Sequence, residues 1–369
     1  MATNNFPSGS EAIEAALKLS IEYFLWTNQP TRTNFIAREG SYHGTTLGAL
    51  SASGHPARRA PFDSLLIPSR FHRISACNPY RQRQPASSPT EEEKAEEPES
   101  DTSFITRKTA ELEAAFAALG PSTVAAVVLE PVVGAALGCV LAPQGYLTAV
   151  KAVCARHGAL LILDEVMCGM GRTGTLHAWQ GEGEGVVPDL QAVAKGFAGG
   201  YQPASALLVG GRVVGVMERE GRVFTHGHTY QNHPVVAAAA LAVQRAVERE
   251  GLLANVREQG RLLGKLLGER LGGHPNVGDV RGKGLFWGIE FVRDKVSKEP
   301  FEPGLGVAER VQKTAVREFK VLVYHGQGCA GGGRGDHIMI MPAYTISGKL
   351  VAEIVERVAC AVEQVFRQI

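Results

Sequence analysis

Two short apolar runs of this 369-residue chain lead to side chains that can do chemistry. Residues 160–163 are followed by the adjacent carboxylates Asp164 and Glu165, and a second run precedes Lys195. Four consecutive apolar residues are typical of a strand buried on both faces, as in a parallel sheet. Ligands of open α/β sheets bind in the crevice at the carboxyl ends of the strands. We therefore expect this acid and this amine to face one ligand site.

An amine and a carboxylate in such a crevice suit pyridoxal 5′-phosphate (PLP). A PLP enzyme needs a lysine for a Schiff base, an acid that keeps the pyridine nitrogen protonated, and an anion pocket for the phosphate. Lys195 and Asp164 can supply the first two. Gly9 and Ser10 open an amphipathic helix whose free N–H groups can bind an anion, and Tyr42 can stack on a planar ring. Each feature alone is explained by a cap, by packing or by a surface lysine, so their combination carries the prediction.

A glycine loop after the first run offers a competing interpretation. Residues 169–174 match the G-x-G-x-x-G pattern of dinucleotide sites. That pattern requires a helix directly after the glycines, because the helix N-terminus contacts the pyrophosphate. Residues 175–185 are too glycine-rich for that helix, and the carboxylates precede the loop. The sequence thus favours a turn that shapes the pocket wall over a dinucleotide site.

The elements that must position these residues alternate between strands and helices. This alternation over residues 1–250 predicts an α/β large domain with a mainly parallel, wound sheet. After residue 250 the pattern predicts a smaller C-terminal α+β domain, 251–369. In the large domain we expect a helix over 8–24 with Ser10 as its N-cap, helices over 104–119, 145–157 and 235–248, and strands at 124–129, 160–164 and 204–209. In the small domain we expect helices over 252–271, 306–319 and 347–366, strands within 277–291 and at 321–324, and a glycine-rich loop over 326–335.

Composition argues against several functional classes. A net charge of +1 gives no reason to expect a nucleic acid or a membrane surface as partner, and no apolar run is long enough to span a bilayer. The six cysteines have no metal-ligand spacing, so we expect reduced thiols, no metal site and a cytoplasmic enzyme. The polar, acidic segment 81–103 is predicted to be a mobile surface loop.

Taken together, these motifs resemble the class III PLP-dependent aminotransferases of fold type I, the ornithine, GABA and ω-amino acid group. The resemblance covers nearly the whole chain and keeps the family's order. The matching segments are Ser8–Ala12, Tyr42–Gly44, Glu130–Val132, Leu163–Val166, Cys168–Gly174, Ala194–Gly196 and His228–Tyr230.

The resemblance implies a reaction. An amino group would move from an amino acid or amine to a 2-oxo acid, with Lys195 forming the Schiff base and then shuttling a proton. Asp164 would pair with the pyridinium nitrogen, and Glu130 would lie near the ring and the substrate. Two alternatives stay open: another PLP reaction on the same scaffold, such as racemisation or decarboxylation, and a catalytically weakened dimeric scaffold protein.

The resemblance also implies how the cofactor is held. Val166 would pack on one face of the ring and Tyr42 on the other. Backbone N–H groups of Gly9 and Ser10 would bind the phosphate. Thr229 would reach the phosphate of the partner subunit in a homodimer.

Three departures from the family pattern affect these expectations. The family's N-terminal segment is missing before Ser8, so we expect cofactor binding to survive, with weak turnover or an unusual substrate range. Met339 stands near the position where ornithine-type members carry a substrate-binding arginine, and Arg334, on a flexible loop, is a candidate substitute. Met167 replaces the glutamine of several relatives, which resembles the ω-amino acid or amine:pyruvate branch.

Two further polar residues lie within these motifs without an expected chemical role. His43, like the histidines of the 224–234 loop, is interpreted as a loop polar residue and not as a catalyst. Arg172, within the glycine loop, is expected to be structural.

Overall fold

Two sheets organise the chain, and the computed structural model describes residues 2–84, 99–183 and 185–369. The strands are β1 (Ala2–Phe6), β2 (Asn34–Arg38), β3 (Phe71–Ile74), β4 (Val124–Leu129), β5 (Val132–Val133), β6 (Val140–Leu141), β7 (Leu160–Asp164), β8 (Leu190–Val193), β9 (Ser205–Val209), β10 (Val277–Lys283), β11 (Phe286–Phe291), β12 (Tyr324–Gly331) and β13 (Arg334–Ile340). The α-helices are α1 (Gly9–Trp26), α2 (Leu47–Ala52), α3 (Pro56–Arg59), α4 (Pro79–Gln82), α5 (Asp101–Leu119), α6 (Tyr146–Arg156), α7 (Gly211–Arg219), α8 (Pro234–Arg249), α9 (Leu252–Leu271), α10 (Val307–Arg317) and α11 (Gly348–Phe366).

The larger sheet has the strand order β1-β9-β8-β7-β4-β2-β3. Five of its strands, β8, β7, β4, β2 and β3, run parallel to one another. Strand β9 pairs antiparallel with both β8 and β1. The predicted α/β class with a mainly parallel sheet is therefore confirmed. The register pairs Asp164 of β7 with Ala192 of β8, so the residues that follow these two strands emerge at the same edge.

The apolar run of β7 is buried on both faces, as predicted. Leu160 and Ile162 belong to one core cluster with side chains of α1, and Leu161 and Leu163 belong to another with side chains of α5 and α6. Side chains alternate along a strand, so a strand between two helical layers must be apolar at every position. Burying each such side chain contributes on the order of 2 kcal/mol, which holds the end of β7 firmly in place.

The smaller sheet is antiparallel in the order β10-β11-β13-β12, and its core includes side chains of α9, α10 and α11. The helix predicted over 252–271 is confirmed as α9. The strand predicted at 321–324 and the loop predicted over 326–335 are wrong. Residues 324–331 and 334–340 instead form the hairpin β12–β13, in which residues 324–327 pair with residues 336–339 before a register shift leads to the pair Gly331–Arg334. The boundary at residue 250 stays a prediction.

Two further expectations need correction. Ser8, not Ser10, caps α1: its hydroxyl accepts from the Glu11 N–H, and the Glu11 carboxylate accepts from the Ser8 N–H at 2.8 Å. The predicted mobile loop 81–103 is wrong at both ends, since Arg81 and Gln82 belong to α4 and Asp101 begins α5. Residues 85–98 lie outside the described residues, so for them the loop stays a prediction. None of the described helices is long and apolar enough to cross a membrane.

Candidate active site

Four neighbouring strands deliver their following residues to one edge of the larger sheet. Asp164 is the last residue of β7, and Glu130 directly follows β4. The loop after β2 contains Tyr42 and His43, and Lys195 comes two residues after β8. This edge is the carboxyl end of parallel strands, where ligands of such sheets bind. The structure thus brings together the acid and the amine that the sequence predicted would share a site.

Asp164 is held as a buried carboxylate by two donors. Its Oδ2 lies 2.8 Å from Nδ1 of His43, and its Oδ1 accepts the backbone N–H of Val166 at 3.0 Å. We assign the proton to Nδ1, because an ionised carboxylate only accepts. The His43 ring is buried, and its Nε2 has no hydrogen-bond partner among the described residues. His43 therefore orients Asp164, a role that the sequence interpretation missed.

Glu165, the second acid of the pair, turns away from this arrangement. Its two carboxylate oxygens accept the backbone N–H groups of Ala178 and Trp179 at 2.7 and 2.8 Å. Burial raises the pKa of Glu165 to about 7 against the opposing effect of these hydrogen bonds. Glu165 thus anchors the chain after the glycine loop, and Asp164 is left as the acid of the site.

Glu130 fixes two loops beside Asp164. One of its carboxylate oxygens accepts the Tyr42 N–H and the other the Gly134 N–H, both at 3.0 Å. Burial, with the nearby charge of Asp164 as a second cause, raises the pKa of Glu130. The buried Arg38 donates to the Glu130 carbonyl at 2.6 Å, which secures the backbone. Glu130 therefore lies next to Asp164, and its contacts position the loop that carries Tyr42.

Lys195 occupies a strained backbone position at this edge. Its φ of 45° lies in the left-handed region, which side chains other than glycine rarely adopt and which recurs at functional sites. The residue is solvent-accessible, yet the protein atoms packed around its side chain lower the pKa of the amine, against the opposing charges of Asp164 and Glu130. A lowered pKa increases the neutral, nucleophilic form of the amine.

The N-terminus of α1 packs tightly against the Asp164 loop. A Cβ at Gly9 would lie 2.7 Å from Cγ1 of Val166, so only glycine fits there. Ser10 Oγ accepts the Thr45 N–H at 3.0 Å, which joins the helix start to the loop after His43. The N–H groups of the first turn have no intrahelical acceptor, and they carry the positive end of the helix dipole. The expected anion pocket and Val166 are thus brought together.

Tyr42 lies beside an arginine that the sequence analysis did not single out. The Arg58 guanidinium carbon lies 4.4 Å from the centre of the Tyr42 ring, and its Nη2 donates to the Tyr324 hydroxyl at 2.9 Å. The charge of Arg58 is also one of the smaller causes that lower the pKa of Lys195. No local pattern could have marked Arg58, because Tyr42 and Tyr324 are distant in sequence.

Two residues expected at the site have other surroundings in the single chain. Thr229 is exposed on the loop between α7 and α8 and forms no hydrogen bond with the described site residues. Arg334 begins β13 and does not lie on a loop, and it pairs with Glu299 at 3.0 Å and Glu302 at 3.5 Å. These two carboxylates already neutralise the guanidinium that was expected to bind the substrate.

The glycine loop has no helix directly after it, so it lacks the helix N-terminus that a dinucleotide site requires. Arg172 donates to the carbonyls of Leu285 and Pro342 at 3.1 and 2.6 Å, and it stacks on Tyr344. Arg172 therefore ties this loop to the small sheet, as its structural interpretation predicted.

Comparison with known proteins agrees with this geometry. The sequence profile of the family described as Aminotransferase class-III matches residues 3–362. The chain belongs to the class III aminotransferases. It is 50% identical to an aminotransferase of Gibberella zeae over 96% of this chain and 67% of that protein. It is 42% identical to an uncharacterised aminotransferase of Schizosaccharomyces pombe over 95% of this chain and 72% of that protein.

Solved structures give the same assignment for this aminotransferase. An (S)-enantioselective ω-transaminase from Thermomicrobium roseum superposes with a TM-score of 0.86 at 36% identity, covering 98% of this chain and 75% of that one. An amine transaminase from an uncultivated Pseudomonas species, in its PLP-bound form, gives 0.87 at 32% identity over 99% and 77%. The predicted aminotransferase activity and PLP cofactor are confirmed, and the racemase, decarboxylase and scaffold alternatives are not favoured.

The residues of the aminotransferase fit PLP chemically. Lys195 presents an accessible amine, and Asp164 is a buried carboxylate whose orientation His43 fixes. The free N–H groups at the start of α1 suit a phosphate, and the glycine at position 9 leaves the close approach to Val166 unobstructed. Each chemical part of the cofactor therefore has a matching group in this chain.

Proposed function

We propose that this aminotransferase moves an amino group from an amino acid or amine to a 2-oxo acid, with Lys195 and Asp164 as its catalytic residues. The observation that carries the proposal is the buried Asp164–His43 pair at the strand edge that also bears Lys195. PLP, when bound, supplies an aldehyde that condenses with amines and a ring that accepts electrons. Asp164 would hold a proton on the pyridine nitrogen, which requires a carboxylate and not an amide.

Lys195 would bind the cofactor and later move the proton of the substrate. Both tasks need an amine that is neutral part of the time, and the crowding around Lys195 lowers its pKa in that direction. The residue also begins a short 3-10 segment, Lys195–Phe197, two residues after the buried strand β8. This rigid support keeps the amine near one point of the crevice.

Other residues of the site would hold the cofactor in place. Tyr42 and Val166 would pack on the two faces of the ring, and the N–H groups of Gly9 and Ser10 would bind the phosphate. Support for this comes from the contact between the start of α1 and Val166. Glu130 would act through the loop of Tyr42, to which its carboxylate is hydrogen-bonded.

The active form would be a homodimer in which Thr229 reaches the phosphate of the partner subunit. Thr229 is exposed, and the adjacent Tyr230 is 71% exposed in the single chain. Tyr230 also lines a groove with Phe6 and Val235. Exposed apolar patches of this kind mark association surfaces. We also propose a cytoplasmic location, since all six cysteines are free thiols.

The names of the relatives suggest substrates. One is an ω-transaminase of Thermomicrobium roseum, and another is a diaminobutyrate–2-oxoglutarate transaminase of Halomonas elongata, 36% identical over 97% of this chain. We therefore propose amines and ω-amino acids as donors and 2-oxo acids as acceptors. Met167, which packs near Gly134, would leave this side of the pocket apolar.

The test is a spectral titration of the PLP-loaded protein with amino donors. We expect the cofactor absorbance to convert to that of the amino form, and a 2-oxo acid to restore it. Borohydride treatment followed by peptide mass analysis should find the cofactor on Lys195, and Lys195→Ala should abolish both results. Cofactor on another lysine, or conversion by Lys195→Ala at the wild-type rate, would refute the assignment. The same titration measures the weak turnover or unusual substrate range that stays a prediction.

A further inference from the structure

We propose that Arg58 binds the carboxylate of the 2-oxo acid or amino acid substrate. This inference deepens the proposed function and depends on it. Three observations support the proposal: the place of Arg58 over Tyr42, its unused hydrogen-bonding capacity, and the commitments of the other arginines around the site.

Arg58 is half-buried over the aromatic ring expected to contact the cofactor. Its guanidinium carbon lies 4.4 Å from the ring centre of Tyr42, a distance at which a cation–π interaction orients the charge. Its single hydrogen bond among the described residues goes to the hydroxyl of Tyr324, at 2.9 Å. Tyr324 begins β12 of the small sheet, so this hydrogen bond joins Arg58, beside the larger sheet, to the small sheet.

The guanidinium retains free donors. An arginine carries five N–H groups in a fixed fork, and one of them is used here. No carboxylate of the described residues lies within 4.0 Å of Arg58, so its charge has no ion-pair partner in the described part of the chain. A partly buried cation without an anion is costly unless an anionic ligand neutralises it. A carboxylate matches the fork geometry in a bidentate pair.

The other arginines near this edge are already engaged. Arg38 donates to the Glu130 carbonyl, and Arg172 donates to the carbonyls of Leu285 and Pro342. Arg281 pairs with Glu290 at 2.6 Å. Arg334 pairs with two glutamates, as described above. Arg58 is thus the described site arginine that remains available for a substrate carboxylate.

Arg58 lies over Tyr42, whose loop is at the same edge of the larger sheet as Lys195. The charge of Arg58 acts on the amine of Lys195, in the direction that lowers its pKa. A substrate with its carboxylate on Arg58 and its amino or oxo carbon near Lys195 would therefore connect two groups that already interact. Binding the carboxylate would remove part of this repulsion. The contact with Arg58 would therefore favour substrates that carry a carboxylate over simple amines.

The experiment compares wild type, Arg58→Gln and Arg58→Lys as PLP-loaded proteins. The first readout is the dissociation constant of succinate, an unreactive carboxylate, measured by calorimetry. The second is the rate at which L-alanine and isopropylamine convert the cofactor absorbance. Arg70→Gln is the matched control: Arg70 precedes β3 at the opposite edge of the sheet, is exposed, and also donates to a hydroxyl, that of Thr33 at 2.7 Å.

We expect Arg58→Gln to weaken succinate binding and the rate with L-alanine by roughly 10- to 100-fold, the range for a lost charged hydrogen bond. Arg58→Lys should fall between, since it keeps the charge without the fork. Isopropylamine conversion by both variants should fall much less than L-alanine conversion, because isopropylamine has no carboxylate. Every property of Arg70→Gln should stay within about twofold of wild type, far less than the loss of one charged hydrogen bond would cause.

Two outcomes would overturn the proposal: equal losses with alanine and isopropylamine, or unchanged succinate binding in Arg58→Gln. Loss of succinate binding in Arg334→Gln alone would move the role to Arg334. Failure of the proposed function looks different, because wild type would then convert with neither donor while succinate binding still reports on Arg58.

Discussion

Replacing His337 by leucine should make the stability of the protein less sensitive to acid. His337 lies on β13 with no exposed surface, and neither ring nitrogen has a hydrogen-bond partner among the described residues. Burial, followed by the charges of Arg281 and His55, lowers its pKa to about 3. The backbone of Ala135 has a smaller, opposing effect that raises this pKa. The folded protein therefore keeps this imidazole neutral.

The magnitude follows from the difference between the folded and unfolded pKa values. The unfolded imidazole has a pKa near 6.5, so above that pH it is neutral in both states and its titration does not change the free energy of unfolding. Below pH 6.5 the unfolded state binds a proton, whereas the folded state does not bind one until about pH 3. Stability then falls by about 1.4 kcal/mol per pH unit, which amounts to about 2 kcal/mol at pH 5.

The assay is urea unfolding at pH 7.5 and pH 5.0, followed by the fluorescence of Trp287, which lies on β11 of the small sheet. Trp26 and Trp179 are replaced by phenylalanine in every protein, so that the fluorescence comes from Trp287 on the small sheet. Between pH 7.5 and pH 5.0, the free energy of unfolding of His337→Leu should fall by about 2 kcal/mol less than that of the parent. The free energy of unfolding of the control Ile338→Val should be about 1 kcal/mol lower than that of the parent at both pH values. Identical pH dependence in His337→Leu and the parent would refute this account of His337.

The remaining predictions concern the site. His43→Phe keeps a ring but removes the donor to Asp164, so the PLP dissociation constant should rise roughly 10- to 100-fold, with the far-UV spectrum unchanged; an unaltered constant would contradict the orienting role. Gly9→Ala should weaken PLP binding because the new methyl meets Val166, and adding Val166→Ala should restore it; absence of rescue would argue against this clash. Because the pKa of Glu165 is about 7 in the folded protein and 4.5 in the unfolded chain, ionisation of this carboxyl should lower thermal stability as the pH rises from about 4.5 to 7. Glu165→Gln should remove this loss, measured by the unfolding midpoint, and an unchanged pH profile would contradict the prediction.

Local pattern was sufficient for most elements and for the principal site residues. The apolar run of β7 predicted its own burial, because every side chain of a strand between two layers must be apolar. Asp164 and Lys195 could be named since Asp164 ends such a strand and Lys195 comes two residues after one. Prediction failed at the β12–β13 hairpin, where the glycines around Gly326 indicated a loop. Its strands form through pairing across the ladder, which local propensity does not show.

The sequence by itself determined the chemical groups of this protein: the amine, the acid and the helix start that together indicate PLP. Only the tertiary structure decided how they are supported. His43 meets Asp164 across 121 positions of sequence separation, and Arg58 meets Tyr324 across 266. Such contacts depend on the order in which β2, β4 and β7 join the sheet and on how the small sheet meets it. Strand order is set by packing of the whole chain, so no local window could have revealed these partners.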